Sequence, residues 1–286
     1  MRYGVNLPLD ATTLDPRALR DYAQAVEGMG YSYLMGPDHI LAVDMTKRGT
    51  ADYTPEMNTF REPFTTLGYL AGCTTNLLLG VGVLVVTQRQ TTLVAKQAAE
   101  VDVLSGGRLR LGLGVGWSQE EFRQLGVDFS TRGRMMDEQI QVLNALWSQE
   151  SVSFHGEFHH ISEAGINPLP VQRPIPLWIG GTADPVLRRA ARFGRGWLPE
   201  RRPEPELQER FDRVRALLRE ERRDGSDFDL EGRVPLRSRS PEVWAKDLEM
   251  WRRLGVTGVS VTTQNAGCAT IQDHVTLLRQ FKEMVG

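Results

Sequence analysis

The sequence lacks several features that would mark particular classes of protein. It has only two cysteines, Cys73 and Cys268, which lie far apart, so neither a disulfide framework nor a paired-ligand zinc site is indicated. The longest run without a polar side chain, residues 77–86, is about half the length of a membrane-spanning helix. Residues 1–5 begin a strand pattern with no apolar leader segment, so a cytoplasmic protein is expected.

No charge of one sign dominates the chain. It has 34 Lys and Arg residues against 36 Asp and Glu residues, and its formal net charge is −2. This balance gives no general attraction to nucleic acid or to an anionic membrane surface. Because 41% of its residues are hydrophobic, the 286-residue chain can bury a large core. A soluble globular protein is therefore expected.

Short apolar runs alternate with longer amphipathic segments, which is typical of repeated β-α units around a parallel sheet. The first helix shows the pattern: Asp15 can cap it, Pro16 begins it and Gly30 follows it. Eight strand segments favour one (β/α)8 TIM-barrel domain over residues 1–286, since a doubly wound open sheet would leave strands unused. The predicted strands are residues 3–7, 31–35, 77–85, 109–114, 177–180, 196–198, 233–236 and 256–262.

Two insertions interrupt the alternation, one after strand two and one after strand four. Residues 41–61 are polar and predict a lid or a substrate wall, because loops after the strands carry function in barrels. Residues 148–176 include an alternating segment, 152–161 around Gly156, which predicts a hairpin. Residues 204–224 are dense in Arg and Glu and predict a solvated helix.

An aspartate and a histidine, Asp38 and His39, follow the second strand, at the edge of the barrel where active sites of this fold lie. A histidine beside a carboxylate can act as general acid or base near neutral pH, or donate a hydrogen bond to a bound ring. In the alternative, Asp38 caps the next segment and His39 is a half-buried hydrogen-bonding residue.

Glycines follow strands four and five. Gly112, Gly114 and Gly116 alternate along the end of strand four and allow another group to approach the backbone, but their spacing is no dinucleotide or Walker motif. Trp117 then offers a flat apolar wall to a ligand, unless it is a core tryptophan. The run Gly180-Gly181-Thr182 precedes a helix over 184–193, whose N-terminus suits a phosphate. Alternatively, these residues simply turn and cap that helix, with Thr182 or Asp184 as the cap.

The densest group of metal-ligand residue types is His155, Glu157, His159 and His160. No fourth ligand joins the three that would share one face of the hairpin, so we interpret them as solvent-facing positions and predict no metal site. The sequence also has no G-x-S-x-G elbow and no Cys-His-Asn set, which disfavours covalent hydrolysis.

The order and spacing of the motifs resemble the bacterial luciferase-like family of barrel flavin and deazaflavin enzymes, and within it the branch of F420-dependent oxidoreductases. The resemblance covers nearly the whole chain. It is carried by residues 3–8, Asp38-His39, 95–97, 104–108, 112–117, Glu121-Phe122, 125–127, 132–134, Glu138, 174–181 and 194–197.

The resemblance implies a cofactor across the barrel mouth, with its ring on a bulge at Gly82-Val83, where the family often has a cis peptide, and its phosphate near the turn after strand five. It also assigns residues to this site by matching. Asp38, Gly82, Val83, Val85, Gly114, Gly116 and Glu120 would line the ring pocket, and Gly180, Gly181 and Thr182 would form the phosphate site.

The resemblance further implies hydride transfer between reduced F420 and a small organic substrate, with His39 as proton donor oriented by Asp38. Two alternatives remain: an FMN-dependent monooxygenase supplied by a flavin reductase, and a non-catalytic cofactor-binding barrel. The family often forms homodimers, so a homodimer is one expected state.

Three departures from the family pattern bear on the site. Trp117 replaces a glutamate of members that oxidise sugar phosphates and favours a bulky apolar substrate. Arg195 puts a positive charge where the family has an aspartate, near the expected phosphate end. The loop 87–91 lacks the usual prolines, so its rigidity is expected to differ.

Overall fold

Eight parallel strands close on themselves in the computed structural model, which describes residues 1–43, 59–199, 205–223 and 225–286. The order around the barrel is β1-β10-β9-β8-β7-β4-β3-β2, and the remaining two strands, β5 and β6, form a separate hairpin. The (β/α)8 prediction is confirmed. The strands are β1 (Arg2–Asn6), β2 (Tyr33–Gly36), β3 (Leu78–Val85), β4 (Leu109–Gly114), β5 (Val152–His155), β6 (His160–Ala164), β7 (Leu177–Gly180), β8 (Gly196–Leu198), β9 (Asp229–Pro235) and β10 (Gly258–Thr262).

Helices cover the outside of the barrel. The first begins as predicted: the Asp15 carboxylate accepts from the backbone N–H of Arg17 at 2.9 Å, and a proline occupies the first turn. None of the described helices is both long enough and apolar enough to cross a membrane. The helices are α1 (Pro16–Gly28), α2 (Pro63–Cys73), α3 (Thr91–Ser105), α4 (Gln119–Gln124), α5 (Arg132–Ser148), α6 (Asp184–Phe193), α7 (Pro205–Glu220), α8 (Pro241–Leu254) and α9 (Ile271–Val285).

The structure describes the second predicted insertion completely and the first only in part. The second contains the expected hairpin, in which β5 and β6 are antiparallel and His155 pairs with His160. Most of the predicted lid, residues 44–58, lies outside the described residues. The charged segment forms helix α7, as expected.

An ion pair crosses the barrel interior. Arg110 on β4 donates to Glu231 on β9 at 2.5 Å, and the Tyr33 hydroxyl on β2 donates to the other oxygen of Glu231, also at 2.5 Å. The guanidinium lies between the rings of Tyr33 and Trp178, at 4.4 and 4.2 Å from their centroids. Burial and the nearby Glu231 charge raise the pKa of Tyr33 well above its usual value, so its hydroxyl stays a donor.

Glycines on neighbouring strands make room for this cluster. A Cβ at Gly4 would lie 1.9 Å from the Tyr33 ring, one at Gly196 would lie 2.5 Å from the Trp178 ring, and one at Gly258 would lie 2.7 Å from Glu231 Oε1. Glycine at these three strand positions therefore leaves the space that the buried polar cluster of Tyr33, Arg110, Trp178 and Glu231 occupies.

Arg110→Met should destabilise the fold strongly, because it leaves the Glu231 carboxylate buried without its cation. We expect the free energy of unfolding to fall by about 3–5 kcal/mol in a urea titration. Arg253→Met, which removes an exposed pairing partner of Glu249 on α8, is the matched control and should change little. A loss below about 1 kcal/mol for Arg110→Met would show that the pair is dispensable.

Candidate functional site

A cavity of about 660 Å³ opens at the carboxyl ends of the barrel strands. Ten of the residues predicted for the site line it: Asp38, His39, Gly82, Val83, Val85, Gly114, Gly116, Trp117, Gly180 and Gly181. Two others, Glu120 and Thr182, are not among its described lining residues. The structure thus brings together positions that are far apart in the sequence, from Asp38 to Gly181.

The cavity has two chemically different halves. The side formed by β3, β4 and β7 is apolar and rich in glycine. The side formed by β1, β9 and β10 is polar, and its lining includes Asn6, Arg233, Arg237, Thr262, Gln264 and Asn265. A ligand that fills the cavity therefore meets a flat apolar surface on one side and hydrogen-bonding groups on the other.

Val83 is the centre of the apolar half. The pairing of β3 with β4 shifts between Val81 and Leu84, and the Gly82–Val83 peptide is cis, at the position where the family resemblance places it. A Cβ at Gly114 or at Gly180 would lie 2.6 Å from a methyl carbon of Val83. These glycines are required because any side chain there would collide with Val83.

A planar ring fits this surface. Gly116 has a φ of +77°, and a Cβ there would lie 2.6 Å from the Phe122 ring and 2.7 Å from Val85. Glycines on β4 and β7 thus keep the backbone open beside the Val83 side chain. The residues present are compatible with a flavin or deazaflavin ring bound against them.

Asp38 joins two segments at the rim of the cavity through hydrogen bonds. Its side chain is 1% exposed, and its two oxygens accept from the Val85 N–H at 2.9 Å and from Arg89 Nε and Nη2 at 3.2 and 2.6 Å. Arg89 comes from the loop between β3 and α3, so Asp38 ties the end of β2 to that loop. Both carboxylate oxygens are thereby occupied.

His39 is held by Glu121, and the prediction that Asp38 orients it is wrong. The Nδ1 atom of His39 lies 3.0 Å from Glu121 Oε2. The other oxygen of Glu121 accepts the backbone N–H groups of Ile40 and Leu41 at 2.9 and 3.1 Å. Asp38 and His39 diverge because consecutive residues after a strand project to different sides.

The Glu121 carboxylate is buried, with 1% of its side chain exposed. Burial alone would raise its pKa, but the hydrogen bonds from His39 and from the N–H of Leu41 hold the pKa of Glu121 below its usual value. Glu121 is therefore ionised near neutral pH. Because an ionised carboxylate only accepts, Nδ1 of His39 carries the hydrogen of this contact.

The neighbouring Glu120, which the family resemblance assigns to the ring pocket, is not among the described residues that line the cavity. Glu120 accepts from Arg123 and Gln124 on its own helix, α4. Glu121 and Phe122 are buried, and Ser118 caps the helix by accepting from the N–H of Glu121. A pair of adjacent glutamates on a six-residue helix carries no local signal for which one faces the barrel.

Aromatic rings surround His39. The ring of Phe60 lies 4.7 Å from it, and Trp117 meets it edge-on at 5.9 Å. Trp117 is 57% exposed and lines the cavity, so the core-tryptophan alternative does not hold. These rings form an apolar wall beside the imidazole.

The turn after β7 leaves the start of α6 open. Gly181 has a φ of +114°, and the N-cap residue, Ala183, has no capping side chain, so neither Thr182 nor Asp184 caps the helix. Arg210 from α7 donates to the carbonyl of Thr182. The composition of α7 predicts a solvated helix. Its Arg210 nevertheless places a positive charge at the turn where the phosphate of the cofactor is expected.

One further sequence expectation, the position of Arg195, is wrong. Arg195 lies at the opposite end of the barrel from the phosphate turn, because its N–H donates to Leu177 at the start of β7; its side chain pairs with Asp227 at 3.0 Å. The loop 87–91 is held without prolines: Thr87 donates to the carbonyl of Val115, and Gln139 donates to that of Val86, both at 3.0 Å.

The histidine-rich hairpin is not uniformly solvent-facing. His159 is half-buried, with Nδ1 2.7 Å from Glu138 and Nε2 2.6 Å from Thr91. His155, Glu157 and His160 are exposed. Within the described ranges, no group of three or more His, Cys, Asp or Glu side chains is arranged to hold a metal ion.

Comparison with known proteins places the chain in a family. The model of the luciferase-like monooxygenase family matches residues 1–277. The chain belongs to this family. Family members are oxidoreductases and monooxygenases, so this luciferase-like protein is assigned to the oxidoreductases.

This luciferase-like protein is similar to proteins whose names give different cofactors. An uncharacterized protein of Mycobacterium tuberculosis is 37% identical over 215 residues, 73% of each chain. An FMNH(2)-dependent dimethylsulfone monooxygenase of Pseudomonas putida is 31% identical over 128 residues, 43% of this chain and 35% of that one. The structure of an F420-dependent secondary alcohol dehydrogenase, in complex with an F420-acetone adduct, has a TM-score of 0.79 at 14% identity, covering 100% of this chain and 99% of that one.

Glu121→Gln should remove a pH-dependent part of the stability. Because the pKa of Glu121 is lowered in the folded protein, its charged form stabilises the fold above the unfolded pKa of about 4.3. This contribution is lost as pH falls through the lower folded pKa. We expect the free energy of unfolding at about pH 7 to be larger for the unsubstituted protein than for the variant. This difference, the stability gap, should narrow below about pH 4.

Urea unfolding across this pH range measures the gap. Glu249→Gln, on the exposed face of α8, is the control and should give a small and nearly constant difference. A gap for Glu121→Gln that widens toward acid pH would contradict the inferred state of the carboxylate.

Proposed function

We propose that this protein is an F420-dependent oxidoreductase that transfers a hydride between reduced F420 and a small organic substrate. The observation that carries the proposal is His39, a proton-handling group backed by the buried Glu121 carboxylate, in the same cavity as the glycine-lined surface around Val83. When bound there, the deazaflavin supplies the hydride. The fold likeness to an F420-dependent alcohol dehydrogenase supports this assignment.

The protein's own groups have distinct parts in this function. Val83 and the surrounding glycines would hold the ring, and the open start of α6 with Arg210 would hold a phosphate. Asp38 fixes the loop that carries Arg89 and thereby the rim of the ring site.

His39 exchanges a proton at Nε2, while Glu121 holds Nδ1 and stabilises the charged imidazole. Trp117 and Phe60 help to exclude water from the same space.

An FMN-dependent monooxygenase is the second candidate, supported by the identity with the Pseudomonas putida enzyme. The ring surface would accept either cofactor, and a flavin reductase would then be a required partner. A non-catalytic cofactor carrier is the third. A homodimer remains a prediction in each case.

An anaerobic fluorescence titration of the purified protein with F420 and with FMN distinguishes these candidates. Tighter binding of F420 and oxygen-independent turnover support the proposal. Tighter binding of FMN with oxygen-dependent turnover supports the monooxygenase. Binding without turnover of any tested substrate supports the carrier, and binding of neither cofactor contradicts the proposed function.

His39→Ala should lower turnover by about 10²–10⁴-fold, the usual contribution of a general acid or base. The dissociation constant of the cofactor should change much less, because the ring surface is formed by Val83 and glycines. His155→Ala, on the exposed hairpin, is the matched control. Full turnover in His39→Ala would remove His39 from the mechanism.

A further inference from the structure

The polar half of the cavity contains two arginines, Arg233 and Arg237, whose side chains have no partner among the described residues. Arg233 is half-buried on β9, and Arg237 is exposed in the 3₁₀ turn Leu236–Ser238 that follows; both line the cavity. Among the described residues, neither guanidinium forms a hydrogen bond or a salt bridge. Most arginines near the strand ends are engaged: Arg89 binds Asp38, and Arg239 donates to the carbonyls of Ala266 and Gly267.

Among the described residues that line the cavity, no free carboxylate balances these charges. Asp38 is the only acidic residue among the described lining residues, and Arg89 already neutralises it. Two like charges in a partly enclosed space repel each other, and an anion placed between them removes that repulsion. The local field therefore favours an anionic ligand although the whole chain has a net charge of −2.

Neighbouring groups add neutral hydrogen-bond donors. The Oε1 atom of Gln264 accepts the N–H of Leu9 at 2.9 Å, which leaves its amide NH₂ as the free end. Asn265 lines the cavity next to it. Guanidinium forks and an amide together match the several acceptor oxygens of a carboxylate, sulfonate or phosphate.

The barrel order places this cluster across the cavity from the ring surface. β9 is four strands from β3 in either direction around the closed sheet, so Arg233 faces the Val83 side across the mouth. The open turn of α6, after β7, is a separate place for an anion. A ligand with its phosphate at that turn leaves Arg233 and Arg237 for a second ligand.

We propose that Arg233 and Arg237 bind an oxyanion of the substrate. The identification of this ligand as a substrate rests on the proposed oxidoreductase function. The apolar, reacting part of such a substrate lies near Trp117 and His39, and its carboxylate, sulfonate or phosphate group lies at the two arginines. The substrate class is therefore an amphiphilic organic acid.

Calorimetry with hexanoate, hexane-1-sulfonate and hexan-1-ol as probes tests the anion site at constant ionic strength. We expect the unsubstituted protein to bind the two acids at least about tenfold more tightly than the alcohol, since hydrogen-bonded ion pairs are stronger than neutral contacts. The Arg233→Gln/Arg237→Gln double variant should lose this preference. Arg253→Gln, which removes the same charge outside the cavity, should retain it.

The single variant Arg237→Gln keeps the test valid if the double variant does not fold, because Arg237 is exposed and the substitution removes no buried side chain. It should lose part of the preference. Equal binding of acids and alcohol to the unsubstituted protein, or an unchanged preference in the arginine variants, would overturn the proposal.

Titration of the same variants with F420 and FMN shows whether the oxyanion belongs to the substrate or to the cofactor. Unchanged cofactor affinity supports the assignment to the substrate. A cofactor affinity that falls about tenfold or more would show that the arginines hold an anionic part of the cofactor, which overturns it. If neither cofactor binds while the acid preference depends on the arginines, the proposed function fails and the oxyanion site stands.

Discussion

The buried pair of Arg110 and Glu231 joins β4 to β9 across the barrel, and the packing of the barrel interior depends on it. A charged group inside a barrel is tolerated only when an opposite charge lies beside it. Tyr33 supplies the second bond to Glu231, and glycines on β1, β8 and β10 create the space for the rings. This layer fills the barrel below the cavity, so the ligand site begins at its upper surface.

The same use of glycine shapes the ligand surface. Val83 projects from the irregular end of β3, and Gly114 and Gly180 accept it because they have no Cβ. The apolar half of the cavity is thus a consequence of one bulge and of the residues opposite it. The polar half is formed by the ends of β1, β9 and β10, so two ligand parts of different chemistry can be bound by one barrel.

The two adjacent residues after β2 have separate tasks. Asp38 accepts from Val85 and Arg89 and fixes the rim, whereas His39 is held at Nδ1 by Glu121 and carries the proposed proton transfer. This division agrees with their burial, since Asp38 is buried and His39 is only partly so. Rigid support of the rim and proton handling are therefore separable by substitution.

Local pattern alone determined the eight strands, the capped first helix and the hairpin, because hydrophobic periodicity and turn residues act over a few neighbours. The motif resemblance also located the bulge at Gly82-Val83. Tertiary structure decided which glutamate holds His39, that Arg210 reaches the turn after β7, and which cavity arginines have no partner among the described residues. These relations join residues that only barrel closure brings together, so no local pattern in the chain encodes them.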